Sequence, residues 1–206
     1  LVEMQWHMKP AIFVTSSGRT GTKFFAQMLN ELVLGCNAFH EPDCLVRPLY
    51  RNIPQKLFRF NVWQLTLGKF SNHGSMRALS FLRHQKKITP FKAADAVQRL
   101  RATFIQSLQS QIYAECNLQL NGLVDVLPIA FPISKIAFIV RDPRAWVKSC
   151  ISHNGGRYAK RDWAYKLGLG RLTPRLFPND RWHRRWNELD VFAKNCWLWA
   201  KENRYG

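Results

Sequence analysis

Apolar residues along this chain fall into two kinds of pattern: short continuous runs, and longer stretches with a helical repeat. Pro10-Ala-Ile-Phe-Val-Thr15 is a run of the first kind and predicts a buried strand. Ile112 to Cys116 and Lys135-Ile-Ala-Phe-Ile-Val140 predict two more. From Thr22 the repeat lengthens. Phe24, Phe25, Met28, Leu29, Leu32 and Val33 share one helical face, and Gly35 is placed to end that helix. His40 to Pro54 carries three prolines and reads as a loop. Gln55 to Leu82 reads as helical, with breaks near Gly68 and Gly74. Thr89-Pro90 is a helix start, Thr as cap and Pro in the first turn, followed by a stripe of Val97, Leu100, Phe104 and Leu108. A helix from Pro143 to about His153 follows the third strand. Asn154 to Asn179 reads as a glycine- and proline-punctuated basic loop. A last helix is expected from about Asp180 to Asn203, with Trp182, Trp186, Leu189, Ala193, Cys196 and Ala200 inward.

Strands alternating with helices predict an α/β fold, a parallel β-sheet flanked by helices. The 206 residues suit a single domain over 1–206. No internal repeat, low-complexity tract or apolar run of membrane-spanning length is present. The five cysteines form no Cys-x-x-Cys pair and no zinc-ligand spacing, so no metal is expected. Their odd number favours a reducing, cytoplasmic compartment, the alternative being the Golgi lumen for a trimmed eukaryotic enzyme.

Charge adds a partner class. Lys and Arg number 31 against 13 Asp and Glu, a formal net charge of +18. Cys44 to Ala94 holds ten Lys or Arg and no carboxylate, and Asn154 to Trp186 is a second basic stretch. Such an excess predicts an anionic partner.

In α/β sheets, ligands bind where strand ends meet helix starts. The first such junction is Ser16-Ser17-Gly18-Arg19-Thr20-Gly21-Thr22-Lys23. Its glycines let backbone amides wrap an oxyanion at a helix N-terminus, while Arg19, Lys23 and the Thr20 and Thr22 hydroxyls add donors. It is not a Walker A loop, since no Ser or Thr follows Lys23. The bland alternative is a ligand-free strand–helix turn.

The second junction is Ile136-Ala-Phe-Ile-Val-Arg141-Asp-Pro-Arg144-Ala-Trp-Val-Lys-Ser149. Arg141 and Ser149 are eight residues apart and can grip one phosphate together. The bland alternative is a surface Arg–Asp pair of little consequence. Together the two junctions resemble the sulfotransferase family, closer to its carbohydrate and bacterial types than to the cytosolic aryl type. Ser16 to Thr22 is similar to the family's 5′-phosphosulfate loop, with Thr20 in place of Ser, and Val140 to Ser149 to its 3′-phosphate motif. The resemblance is good over about residues 10–40 and 112–153. It implies a P-loop NTPase-like sulfotransferase fold and the donor 3′-phosphoadenosine 5′-phosphosulfate, with 3′,5′-adenosine bisphosphate as product. By it, Ser17, Gly18, Arg19, Thr20, Gly21, Thr22 and Lys23 hold the phosphosulfate, and Arg141 and Ser149 the 3′-phosphate.

The resemblance also marks Phe39-His40-Glu41-Pro42, where relatives carry a Glu-Pro. Glu41 is then the expected base, His40 the second candidate, and Arg19 the group stabilising the phosphosulfate; the alternative is that Glu41 only pairs with a nearby Arg. Two departures stand out. Glu115-Cys116-Asn117 replaces a basic residue that many relatives carry, and the chain stops at Gly206, short of the family's usual C-terminal end. The acceptor stays open among glycan, peptide, lipid and small-molecule hydroxyls, an anionic glycan or a small molecule being the candidates named for it, in a pocket formed by Arg47 to Lys87 and Asn154 to Asn179. Two other classes compete. A nucleotide kinase or NTPase would need a magnesium carboxylate, for which Asp125 and Asp142 are the candidates. A basic nucleic-acid-binding module would use the eight tryptophans for stacking. No nucleic acid is expected on the main reading.

Overall fold

A computed structural model describes residues 9–43, 53–60, 62–69, 73–153, 155–168 and 170–206. Four strands are found among them: β1 (Ala11–Ser16), β2 (Cys36–His40), β3 (Ile112–Cys116) and β4 (Ser134–Ile139). They form one all-parallel sheet in the order β2-β3-β1-β4. In chain order the helices are α1 (Thr22–Leu32), α2 (Ile53–Arg59), α3 (Val62–Leu65), α4 (Met76–His84), α5 (Pro90–Gln106), α6 (Leu127–Ala130), α7 (Pro143–Ser152), α8 (Trp163–Lys166) and α9 (Val191–Tyr205). The α/β expectation is therefore met.

Burial follows strand position. Central β1 and β3 are almost wholly buried, whereas edge strands β2 and β4 are half-exposed. The sheet packs one face against a core of Val97, Phe104, Tyr113 and Leu127. The other face carries a smaller cluster of Val14, Ala26, Ala38 and Ala114. A third cluster, around Trp146, Trp186 and Trp197, joins α7 to α9.

Four expectations change. A strand with no clear signal in the sequence, Cys36–His40, follows α1 as β2, too short and polar to stand out beside its neighbours, and the expected loop begins after it, at Glu41. Residues 44–52 of that expected loop lie outside the described residues. The stripe on α1 is narrower than its sequence suggests. Ala26 is buried and Leu29 and Val33 pack on the sheet, but Phe24 and Leu32 are 57% and 72% exposed. The last helix starts at Val191, where Asp190 caps it by accepting from the Ala193 amide at 2.7 Å. Trp182, Trp186 and Leu189 precede it, and the side chains it buries are Asn195, Trp197, Leu198 and Glu202. Finally, the short helix α8 interrupts the basic loop after α7. Thr89 caps α5 as expected, accepting from the Lys92 amide at 3.3 Å.

One buried charge ties the sheet together. Arg101 of α5 has no solvent exposure. Its Nε and Nη2 donate to the two oxygens of Glu115 at 2.8 and 2.7 Å, and its Nη1 to Asp43 at 3.1 Å. Tyr113 Oη and Asn117 Nδ2 also donate to Glu115. Asn117 in turn donates its amide to Val14 O at 3.0 Å, and its carbonyl accepts from Thr15 Oγ1 at 2.9 Å. The carboxyl ends of β1 and β3 and the chain just past β2 are thus fixed to one guanidinium.

Removing one partner of a buried ion pair leaves the other charge uncompensated. Arg101→Ala is therefore expected to destabilise the fold by about 3–5 kcal/mol. Urea denaturation at neutral pH checks this; an unchanged midpoint would overturn it.

Candidate functional site

β1 ends at Ser16, and the chain turns through Ser17–Gly21 into α1. Three residues of this loop have left-handed backbones: Gly18 (φ 85°), Arg19 (57°) and Gly21 (86°). Gly21 is the helix N-cap and has no side chain to cap with, so the first-turn amides of α1 remain available to a ligand. Gly18 N donates to Ser16 Oγ at 3.0 Å and Thr20 Oγ1 to the same oxygen at 2.6 Å. The Thr20 hydroxyl is thus engaged within the loop. Ser17 is buried, and its Oγ accepts from Asn203 of α9. Lys23 is exposed at the second position of α1.

The second junction lies against the first because β1 and β4 are neighbours, in register from Ala11 with Ser134 to Ser16 with Ile139. Asp142 caps α7 through the Arg144 and Ala145 amides. Arg141 Nη1 donates to Arg19 O at 2.7 Å, and Arg19 Nε donates to Ser149 Oγ at 3.2 Å. Arg19 therefore forms one cluster with Arg141 and Ser149, each more than 120 residues from it along the chain.

The third group sits at the end of β2. His40 Nε2 and Thr22 Oγ1 share a hydrogen bond of 3.2 Å, which joins this strand end to the start of α1. Glu41 is half-buried with φ 45°, and its amide donates to Cys116 O at 3.3 Å. Asp43, two residues on, is held by Arg101. Arg19 and Glu41 are thus both left-handed non-glycine residues; such backbone is sterically costly and recurs at functional sites.

A cleft of about 560 Å³ opens beside the loop. Its walls come from α4 (Arg77, Phe81, His84), from the turn after β3, and from the segment between Gly156 and Leu172. These are parts of the two stretches expected to form the acceptor pocket. Arg19 lines it; Glu41 does not. Asp162 on its wall is matched by Arg171, at 3.1 Å. Glu202 is matched by Arg157 at 3.5 Å, an ion pair rather than a hydrogen bond. Burial pushes the Glu202 carboxyl up, against the pull of Arg157.

Two residues at the loop escape a reading by motif. Trp146 Nε1 donates to Gly18 O at 2.7 Å, and Arg157 Nη2 to Ser17 O at 3.2 Å. Trp146 lies inside the second motif, four residues into α7, where its inward spacing with Val147 and Cys150 marks it as core. Arg157 carries no local signal. Arg101, by contrast, was detectable: it sits four residues after Val97 and three before Phe104, a charge on an apolar stripe.

The carboxylates considered for magnesium are occupied elsewhere. Asp125 pairs with Arg83. Hydrogen bonds from Arg144 and from the Ala145 amide hold the Asp142 carboxyl down to about 2. Trp146, Trp186 and Trp197 are core residues, not a stacking platform. No described helix is long and apolar enough to cross a membrane.

The arrangement is a parallel sheet with an amide-lined loop after β1 and a cationic turn after β4, both at the sheet's carboxyl end. Residues 10–197 match the sulfotransferase family, and the chain belongs to it. It is thus a transferase of sulfuryl groups. No curated protein and no solved structure matches the chain.

Cys116 stands at the β3 end, where the resemblance implies a basic residue, and it carries no positive charge. Burial, reinforced by the Glu115 carboxylate, pushes its thiol up to about 12. It should resist alkylation in the folded protein at pH 8 and react once urea exposes it, as peptide mass spectrometry would read. Rapid native labelling would refute this.

Proposed function

We propose that the chain transfers a sulfuryl group from 3′-phosphoadenosine 5′-phosphosulfate to an acceptor hydroxyl or amine. The observation that carries this reading is the Arg19–Arg141–Ser149 cluster. It joins the two anion-type junctions into one site beside uncapped helix amides. A donor with a phosphosulfate at one end and a 3′-phosphate at the other needs both. When bound, it supplies a sulfuryl group already activated by its link to phosphate.

The chain's own residues then position and stabilise. The amides from Arg19 to Lys23, with the Arg19 side chain, hold the phosphosulfate end and offset charge on the peripheral oxygens, while the Gly18 amide is engaged by Ser16 Oγ. Thr22 contributes its amide; its hydroxyl is shared with His40. Ser17 and Thr20 shape the loop, and Lys23 adds positive field at its rim. Arg141 and Ser149 hold the 3′-phosphate; Arg141 has N–H groups to spare after its bond to Arg19 O. Glu41 accepts the acceptor's proton at its carboxylate, with His40 beside it steering Thr22. The tie from Asp43 to Arg101 supports this assignment, since it limits how far Glu41 can move.

The cleft beside Arg19 holds the body of the acceptor, and its reacting hydroxyl or amine extends past the cleft to Glu41, which is not one of the lining residues. The cleft's arginine-rich wall suits an anionic glycan or a small anionic molecule. No metal enters this mechanism.

Calorimetry without magnesium tests the donor. Selective binding of 3′,5′-adenosine bisphosphate over ATP and 5′-AMP is expected, and Arg141→Ala should weaken it at least about tenfold, the loss of one charged hydrogen bond. Equal binding of ATP would sink the reading. In transfer assays over a panel of hydroxyl and amine acceptors, Glu41→Gln should lower kcat by about 10²–10⁴ while leaving donor affinity intact. An unchanged kcat would remove Glu41 from the role.

A further inference from the structure

Three consecutive carbonyls of the loop are each held by a side chain from elsewhere in the chain. Ser17 O accepts from Arg157 Nη2 at 3.2 Å, Gly18 O from Trp146 Nε1 at 2.7 Å, and Arg19 O from Arg141 Nη1 at 2.7 Å. A peptide unit is planar and trans, so its N–H points away from its C=O. Pinning Gly18 O therefore aims the Arg19 amide, and pinning Arg19 O aims the Thr20 amide. Pinning Ser17 O aims the Gly18 amide, which Ser16 Oγ receives. A carbonyl that turned the other way would face a bound oxyanion and repel it.

Two members of this brace, Trp146 and Arg157, are themselves fixed. Trp146 is fully buried in the α7–α9 core. The Arg157 guanidinium lies 5.5 Å from the centre of the Trp146 ring and pairs with Glu202. Asn195 Nδ2 donates to the Arg157 carbonyl at 2.9 Å, and Asn203 Nδ2 reaches Ser17 Oγ at 3.4 Å. One face of α9, through Asn195, Glu202 and Asn203, thus backs the loop. Gly18 completes the fit. A Cβ there would stand 2.9 Å from Arg157 Nη2, on a backbone of φ 85° that disfavours any side chain. Glu202 and Asn203 lie beyond the segment that matches the family.

We propose that Arg157 and Trp146 are positioning residues of the donor site. With Glu202 behind it, Arg157 fixes Ser17 O and so locks the root of the loop through the Gly18–Ser16 bond, and Trp146 fixes Gly18 O and so aims the Arg19 amide, which leaves the loop set for the phosphosulfate before the donor arrives. This rests on the proposed function. Preorganised donors of this kind gain affinity because no reorganisation is needed on binding. Arg157 also brings a cation to the loop from a different part of the chain than the β3 end, where Cys116 stands.

The test is calorimetry of the intact chain with two ligands, 3′,5′-adenosine bisphosphate and 3′-AMP. The first has a 5′-phosphate to engage the loop; the second has only the 3′-phosphate. Arg157→Gln is expected to weaken the bisphosphate about tenfold or more, one charged hydrogen bond and its orientation, while 3′-AMP binding is unchanged. Arg157→Lys should recover part of the loss. Glu202→Gln should give a smaller loss of the same kind. If Arg157→Gln folds poorly, Glu202→Gln carries the test, because it releases the guanidinium from its ion pair without touching the loop. Equal losses for both ligands, or bisphosphate binding unaffected in variants whose melting shows them folded, would overturn the proposal. Failure of the wild-type chain to bind the bisphosphate at all would overturn the donor assignment instead.

Discussion

The carboxyl end of the sheet depends on a guanidinium that has no contact with water. Burying Arg101 costs several kcal/mol of lost hydration, and the structure offsets this only by surrounding it with Glu115 and Asp43 and with good hydrogen-bond geometry. The demand works in both directions. Arg101 must have both carboxylates close, so β3 and the chain after β2 cannot drift from α5. The consequences spread from there: Asn117, bonded to Glu115, links β3 to Val14 and Thr15 of β1, just ahead of the phosphate-type loop. The group that fixes the candidate base and the group that fixes the loop's root are therefore the same residue.

Above that base the loop is held from the other side. Its backbone is left-handed at Gly18, Arg19 and Gly21, a shape that does not persist unaided at a residue with a side chain. Trp146, Arg141 and Arg157 supply the restraint, each through one N–H to one carbonyl. The arrangement explains why α7 and α9 share a tryptophan-rich core. Rigid aromatic packing under the loop converts a few hydrogen bonds into a fixed geometry. It also gives the +18 charge a local meaning: Arg19, Arg141 and Arg157 converge on the end of β1, and further arginines line the adjoining cleft.

The cleft walls show how charge and neutrality are divided. Asp162 and Glu202 face arginines, so the acids present there organise cations instead of cancelling the field of the site. Arg171 is set by Asp162, which also caps α8 and accepts from the Tyr158 amide. A wall built this way presents positively charged groups in fixed positions, which selects for shape as well as for sign.

Local chemistry along the chain was enough to reveal the α/β class, three of the four strands, the Thr89 cap and the two strand–helix junctions. Each of these rests on residues within about ten positions of one another, where strand and helix periodicity and turn chemistry act directly. The same local reasoning failed for β2, a five-residue edge strand with polar positions, and for the start of α9, where tryptophans at helical spacing proved to be packing in an irregular segment. It also overstated the buried face of α1, because that helix covers only a narrow, small-residue part of the sheet. What only the tertiary structure decided is which distant groups meet: Arg101 with Asp43 across 58 positions, Arg19 with Ser149 across 130, Arg157 with Ser17 across 140. Those meetings follow from the order β2-β3-β1-β4, which sets β4 beside β1 and α9 against the loop. Strand order comes from packing whole faces against each other, and no periodicity within a single element encodes it.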